Sequence, residues 1–238
     1  MEGGSQKIVI QSEHCSEREK FIRHIVVHSF ALPVEEMIRR LDELKVSTHY
    51  IIDTHGCIIQ MVPESKVAWH AGKSYWRGET GLNATSIGIE LQNDTLGQEN
   101  FTLAQLSVFK ALAKDLITRY HIDGKNVVAH SDIAPTRKVD VGKAFPWKEM
   151  AKAGIGIWPN DDIVSKGNED IAFLLKNIGY DVSDVDKALL AFERHFMPEL
   201  VRVDKDVMHM EENLKNVQPV NTPAVLRRLV QVAHTFQE

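Results

Sequence analysis

Short apolar runs alternate with helical patterns over the first 150 residues, and this alternation constrains the fold most. Pro33 precedes a helical stripe containing Met37 and Leu41, and Thr102 with Gln105 has the spacing of a capping box at a second helix. Six runs rich in β-branched residues are predicted as strands, at 7–10, 24–29, 48–53, 57–61, 86–93 and 126–130. Strands interleaved with helices predict an α/β fold, with a mixed central β-sheet flanked by helices.

The pattern changes after a segment rich in turn-forming residues. Residues 154–168 contain three glycines and a proline and are predicted to be a linker. Beyond it lie three helical patterns: one ending near Gly179, one starting at Ser183 and one signalled by Thr222 with Pro223. We therefore predict a domain of residues 1–155, followed by a small three-helix domain of residues 166–238.

Composition excludes some classes of protein. The net charge of −5 and the lack of a dense basic block argue against general nucleic-acid binding, which needs a basic face. No run approaches the roughly 18 apolar residues that a membrane span requires, so no transmembrane segment is expected. The two cysteines, Cys15 and Cys57, are too few for a dense disulfide framework.

Two histidines end apolar strand runs, where sites in open α/β sheets tend to form. His28 follows Ile-Val-Val and His130 follows Val-Val-Ala, and Asp140 comes ten residues after His130. Two imidazoles and one carboxylate are a usual open zinc set, with a fourth position left for water. The spacing lacks the compact signature of a helical HExxH pair, so ordinary packing roles for the three residues stay open.

Three further residues admit both a chemical and a structural interpretation. Glu90 is the only charge in the run 86–91, and it is either an outward-facing residue or a partly desolvated general base. Lys138 lies two residues before Asp140, and it either stabilises an oxyanion in the same cleft or is a surface lysine. Trp69 either stacks on a sugar or packs in the core.

Five segments occur in an order that resembles a known family: VVHS at 26–29, THYIID at 48–53, AWHAG at 68–72, SIGIELQN at 86–93 and AHSDIAPTRKVDVGKAFPW at 129–147. They resemble zinc N-acetylmuramoyl-L-alanine amidases of the second amidase family, in the AmpD/AmiD branch, whose fold peptidoglycan-recognition proteins share. The resemblance covers roughly residues 20–150, and the last segment is its most specific part.

The resemblance implies a role for each matching residue. His28, His130 and Asp140 would bind one Zn²⁺ per chain, Glu90 would be the catalytic base and Lys138 would assist at the oxyanion. The expected substrate-binding residues are His49, Trp69, His70, Arg77 and Asn83.

The implied reaction is hydrolysis of the amide between N-acetylmuramic acid, which includes its 1,6-anhydro form, and L-alanine of the peptidoglycan stem peptide. The partner would be peptidoglycan or a muropeptide, in cell-wall degradation, recycling or remodelling. One alternative is a receptor that binds muropeptides without cutting them. The other is a different zinc hydrolase, such as a peptidase that cuts within the stem. The oligomeric state stays undetermined.

The carboxy-terminal helices carry a second, weaker resemblance. The segment FLLKNIGYDVSD at 173–184 is similar to the small peptidoglycan-binding bundle that follows the catalytic domain in AmiD-type enzymes. A structural appendage without a ligand is the alternative. The sequence begins without the features of a signal peptide. The expected location is therefore the cytoplasm, or the bacterial cell envelope or periplasm if an export segment precedes this sequence.

Overall fold

The computed structural model describes residues 7–159, 162–165, 167–201 and 217–237. Its strands are β1 (Lys7–Val9), β2 (Cys15–Glu17), β3 (His24–Phe30), β4 (Tyr50–Ile52), β5 (Ile58–Gln60), β6 (Lys66–Ala68), β7 (Tyr75–Trp76), β8 (Glu79–Thr80), β9 (Ser86–Gln92) and β10 (Val127–Ala129). Its helices are α1 (Val34–Glu43), α2 (Leu103–Tyr120), α3 (His130–Ile133), α4 (Trp147–Lys152), α5 (Ile171–Ile178), α6 (Val185–Phe196) and α7 (Pro223–Gln237).

A six-stranded sheet forms the centre of the described residues, in the order β1-β5-β4-β9-β3-β10. Strands β4 and β5 are antiparallel and form a hairpin, whereas the other neighbours are parallel. The prediction of a mixed central sheet flanked by helices is therefore confirmed, and all six predicted runs contribute a strand. The short strands β2, β6, β7 and β8 were not predicted, because two or three residues are too few to show an alternating pattern.

The predicted helix starts are confirmed with two adjustments. The Thr102 hydroxyl caps α2 by accepting a hydrogen bond from the Gln105 amide at 3.1 Å. The Gln105 side chain turns inward and donates to the carbonyls of Ile52 and Gln92, so only half of the predicted capping box forms. Helix α6 begins after Asp184, whose carboxylate accepts from Lys187 N, one residue later than predicted.

The two faces of the sheet bury different helices, because successive side chains of a strand point to opposite faces. One face packs Ile25, Val27 and Ile89 against α2. On the other face, α1 covers Ile51 with Met37, and α5–α7 cover a separate area. The cleft lies on this second face, between α1 and the loops at residues 69–72 and 137–140.

The carboxy-terminal helices α5, α6 and α7, all three of which were predicted, share a hydrophobic core with the sheet. Val26 and Val128 belong to the same buried cluster as residues of these helices. Trp76 on β7 contacts Tyr180 and Phe236 edge to face, with ring centroids 5.0 and 6.1 Å apart. The boundary between domains 1–155 and 166–238 stays a prediction. None of the described helices is long and apolar enough to cross a membrane.

Candidate metal centre and active site

Three potential metal ligands converge at the floor of the cleft. His28 lies in β3, His130 is the first residue of α3 directly after β10, and Asp140 lies in the loop that follows. The His28 Nδ1 atom is 2.9 Å from His130 Nδ1 and 3.3 Å from Asp140 Oδ2. His130 Nδ1 is 3.1 Å from the same carboxylate oxygen. The sequence-predicted triplet is thus brought together, although β3 continues two residues past His28.

The chemistry and spacing of these atoms fit a zinc ion. Ligands about 2.0–2.1 Å from a tetrahedral zinc lie about 3.3–3.4 Å from one another, close to the distances observed. The Nε2 of His130 lies 3.3 Å from the Ala71 carbonyl, which can only accept a hydrogen bond. The lone pair of His130 Nδ1 is therefore directed at His28 Nδ1 and Asp140. A cation among the three atoms removes the repulsion between these lone pairs.

The protonation states also suit metal binding. Burial, reinforced by the neighbouring His130, lowers the pKa of His28 to about 4. Burial alone would raise the pKa of Asp140, but the His130 and His28 rings hold that pKa well below its ordinary value. Metal ligation requires neutral imidazoles and an ionised carboxylate, and these shifts favour both.

Glu90 lies beside the ligands because its strand places it there. In the parallel register of β3 and β9, Glu90 is opposite His28, so both side chains point to the same face. Its Oε1 is 3.9 Å from His28 Nδ1, and its buried Oε2 has no hydrogen-bond partner among the described residues. Burial, reinforced by Asp140, raises the pKa of Glu90 to about 8 in the metal-free protein, and the positive charge of Lys138 opposes this rise.

The cleft above these residues has a volume of about 540 Å³. Helix α1 contributes one wall through Met37 and Leu41, and residues 69–72 and 137–140 contribute the other. Lys138 is half-buried in this second wall. Trp69 is 37% exposed at the rim. Three residues that were predicted to act on the substrate therefore border the cleft: Lys138, Trp69 and His70.

The other three predicted substrate-binding residues make structural contacts. His49 is fully buried, and its Nδ1 accepts a hydrogen bond from Gly88 N at 3.0 Å. Arg77 lies over the Phe236 ring, with its guanidinium carbon 5.3 Å from the ring centroid. The Asn83 Oδ1 accepts from the backbone amides of residues 70 and 71 and so shapes the cleft wall. The substrate-binding roles of His49, Arg77 and Asn83 stay predictions.

A buried network behind the metal centre was not predicted. Asp132 follows His130 by two residues, is fully buried and accepts a hydrogen bond from Ala129 N at 2.8 Å. The Tyr180 hydroxyl donates to its Oδ1, and His195 Nδ1 lies 2.8 Å from its Oδ2. The His195 ring stacks on Trp147, with centroids 3.9 Å apart. Tyr180 and His195 lie 48 and 63 positions after Asp132, and no spacing in the sequence links them to it.

Comparison with known proteins agrees with this geometry. Residues 18–143 match the family of N-acetylmuramoyl-L-alanine amidases. The N-acetylmuramoyl-L-alanine amidase AmiD of Escherichia coli is 38% identical over 216 residues, which cover 78% of each protein. The 1,6-anhydro-N-acetylmuramyl-L-alanine amidase AmpD of E. coli is 34% identical and aligns with 60% of this chain and 88% of its own.

Two solved structures extend the likeness to the carboxy-terminal helices. One is E. coli AmiD in complex with the substrate anhydro-N-acetylmuramic acid-L-Ala-D-γ-Glu-L-Lys. It has a TM-score of 0.73 and 32% identity, and covers 95% of this chain and 100% of its own. The other is AmpDH3 from Pseudomonas aeruginosa with an anhydromuramic pentapeptide. It has a TM-score of 0.75 and 30% identity, and covers 91% of this chain and 93% of its own. Family match, fold and site together show that this chain belongs to the N-acetylmuramoyl-L-alanine amidase family and is an enzyme of that class.

Proposed function

We propose that this amidase uses one zinc ion to hydrolyse the amide between N-acetylmuramic acid, including its 1,6-anhydro form, and L-alanine of the peptidoglycan stem peptide. The observation that carries the proposal is the convergence of His28, His130 and Asp140 beside Glu90 in one cleft. The AmiD and AmpDH3 complexes hold anhydromuramoyl peptides, which supports this class of substrate.

His28, His130 and Asp140 would hold the zinc ion. When bound, zinc supplies Lewis-acid chemistry, because it polarises a carbonyl and lowers the pKa of water toward about 7. The pKa of Glu90 would be lower in the presence of this cation than in the metal-free protein, because nearby positive charge favours the carboxylate.

Glu90 and Lys138 would move the proton and stabilise the developing charge. Glu90 takes a proton from the attacking water as the water oxygen bonds to the amide carbon. The Lys138 ammonium stabilises the negative charge that develops on the former carbonyl oxygen. When the carbon–nitrogen bond breaks, Glu90 returns the proton to the leaving nitrogen, which becomes the amino group of L-alanine.

The walls of the cleft suggest where the rest of the substrate binds. Trp69 presents an aromatic face at the rim and would stack on a sugar ring, since aromatic side chains bury large apolar surfaces. His70 and Asn83 would contribute through the shape of the wall. Residues 1–155 would form the zinc amidase catalytic domain, and residues 166–238 would form a helical domain that contacts peptidoglycan. The proposed place of action is the bacterial cell envelope or periplasm if an export segment precedes this sequence, and the cytoplasm otherwise.

The decisive experiment is product analysis on two substrates, polymeric peptidoglycan and soluble anhydromuropeptides, with and without a chelator. The expected product is free stem peptide with a new L-alanine amino terminus, identified by mass spectrometry. The chelator should abolish its release, and added Zn²⁺ should restore it. Binding without release would favour the receptor, and cleavage within the stem would indicate a peptidase. Activity that survives thorough zinc removal would contradict the metal mechanism.

A further inference from the structure

A chain of hydrogen bonds leads from His28 away from the metal centre. The His28 Nε2 atom lies 2.9 Å from His70 Nδ1. On the far side of that ring, His70 Nε2 lies 3.0 Å from the Ser86 hydroxyl oxygen. The same oxygen lies 2.7 Å from the Leu82 carbonyl. The chain therefore connects a candidate zinc ligand to a backbone acceptor through two side chains.

The direction of each hydrogen bond follows from its last member. The Leu82 carbonyl can only accept, so the Ser86 hydroxyl must donate to it. That hydroxyl oxygen then accepts from His70 Nε2, which must carry a proton. With His28 Nδ1 turned toward the metal centre, the proton of the His28 ring is on Nε2 and points at His70 Nδ1. His70 Nδ1 must accept it, so every donor in the chain meets an acceptor.

The position of the His70 ring is fixed by its packing against strand β9. A Cβ atom added to Gly88 would come within 2.6 Å of the ring carbon Cγ of His70, closer than real contacts allow. Gly88 therefore lets the ring pack directly on the backbone of β9. His49 accepts a hydrogen bond from Gly88 N and so holds the same backbone, and its ring centroid lies 5.7 Å from that of His70. The acceptor offered to His28 consequently has little freedom to move.

We propose that His70 and Ser86 are positioning residues that orient His28 for the metal ion. The inference rests on the zinc centre proposed above. A second hydrogen-bonding partner fixes the tautomer and ring orientation of a ligating histidine and increases its basicity. Here the partner is an imidazole held in a single tautomer by Ser86, so His28 presents an unprotonated Nδ1 to the metal.

The test is the zinc dissociation constant, measured by competition with a chromogenic chelator. His70→Leu removes the acceptor, and the dissociation constant should rise about 10–100-fold, as expected for the loss of such a partner. His70→Asn keeps a side-chain acceptor near His28 Nε2 and should restore part of the affinity. Ser86→Ala leaves His70 Nε2 without its acceptor and should cause a smaller rise than His70→Leu. Thermal unfolding of each metal-free variant separates effects on folding.

His24→Leu is the matched control. His24 is buried on the same face of β3, but its ring contacts Thr85 instead of the metal centre. Its zinc affinity should equal that of the parent protein, even if its stability falls. An equal loss of affinity in His24→Leu and His70→Leu would overturn the inference, and so would unchanged affinity in His70→Leu. A parent protein that binds no zinc would instead overturn the proposed zinc centre, and this inference with it.

Discussion

At the scale of single residues, burial raises the pKa of the Glu90 carboxyl group to about 8, well above its value in water. It is buried beside Asp140, and one of its oxygens lacks a hydrogen-bond partner among the described residues. Burying a carboxyl oxygen without a hydrogen-bond partner costs free energy. The water molecule of the proton transfer proposed for Glu90 would supply that partner.

We expect Glu90→Gln to retain zinc and to lose turnover by about a hundredfold or more, the contribution typical of general-base catalysis. Glutamine has nearly the same shape but cannot take a proton from water. The measurements are zinc content by atomic absorption and kcat on an anhydromuropeptide. Full turnover in this variant would remove Glu90 from the mechanism, whereas loss of zinc would make the substitution structural.

The role of a residue could be predicted where its own strand reveals it. Contacts between distant segments could not be predicted. Glu90 stands out because a charge interrupts an apolar run, and the register of β3 and β9 then places it opposite His28. His49 accepts a hydrogen bond from Gly88 N, a contact that its own segment does not reveal. The Arg77 guanidinium lies over the ring of Phe236, which is 159 positions later in the sequence, and no local pattern predicts that contact.

At the scale of secondary-structure elements, α3 depends on the helices that follow it. Its first residue is the candidate ligand His130, and its third is the buried Asp132. Tyr180, which precedes α6, and His195, which lies within α6, both contact the Asp132 carboxylate. Tyr180 and His195 therefore stabilise the element that presents a candidate metal ligand.

Tyr180→Phe should destabilise the protein by about 1–3 kcal/mol, because it removes a hydrogen bond to a buried carboxylate. The free energy of unfolding in urea measures this loss. Tyr75→Phe, at a half-buried tyrosine of β7, is the control and should change stability less. Equal stability of Tyr180→Phe and the parent protein would show that Asp132 does not depend on this hydroxyl.

The prediction of helices and strands was limited in the same way, because only patterns within one segment can be recognised in the sequence. The long apolar runs and the capped helices were predicted because their patterns extend over several residues. Strands β2 and β6 form by pairing with each other across 51 positions, and their three residues show no periodicity. His130 was expected at the end of a strand, but it begins α3, where Asp132 accepts a hydrogen bond from Ala129 N.

At the scale of the whole molecule, the two predicted domains are joined by a common core. In this chain, Trp76 and Val128 are buried with residues of α5–α7.

A chain that ends at residue 159 should consequently be less stable than the full protein. It would expose Val26, Trp76 and Val128, and each fully buried side chain of this kind contributes about 1.5–3 kcal/mol. The expected result is a lower thermal midpoint and greater aggregation, measured by calorimetry and light scattering. A truncated chain with the thermal midpoint and the amidase activity of the full protein would show that residues 1–155 are independent of the helices.

The exposed position of Trp69 allows the intrinsic fluorescence of the protein to report on the cleft. Trp76 and Trp147 are each 2% exposed, and Trp158 is half-buried beside Phe196, whereas Trp69 stands at the mouth of the cleft. A collisional quencher such as acrylamide should therefore reach the indole of Trp69 before the others. A muropeptide seated in the cleft would shield this indole, so the fluorescence of the unlabelled protein should report how much of the cleft is occupied.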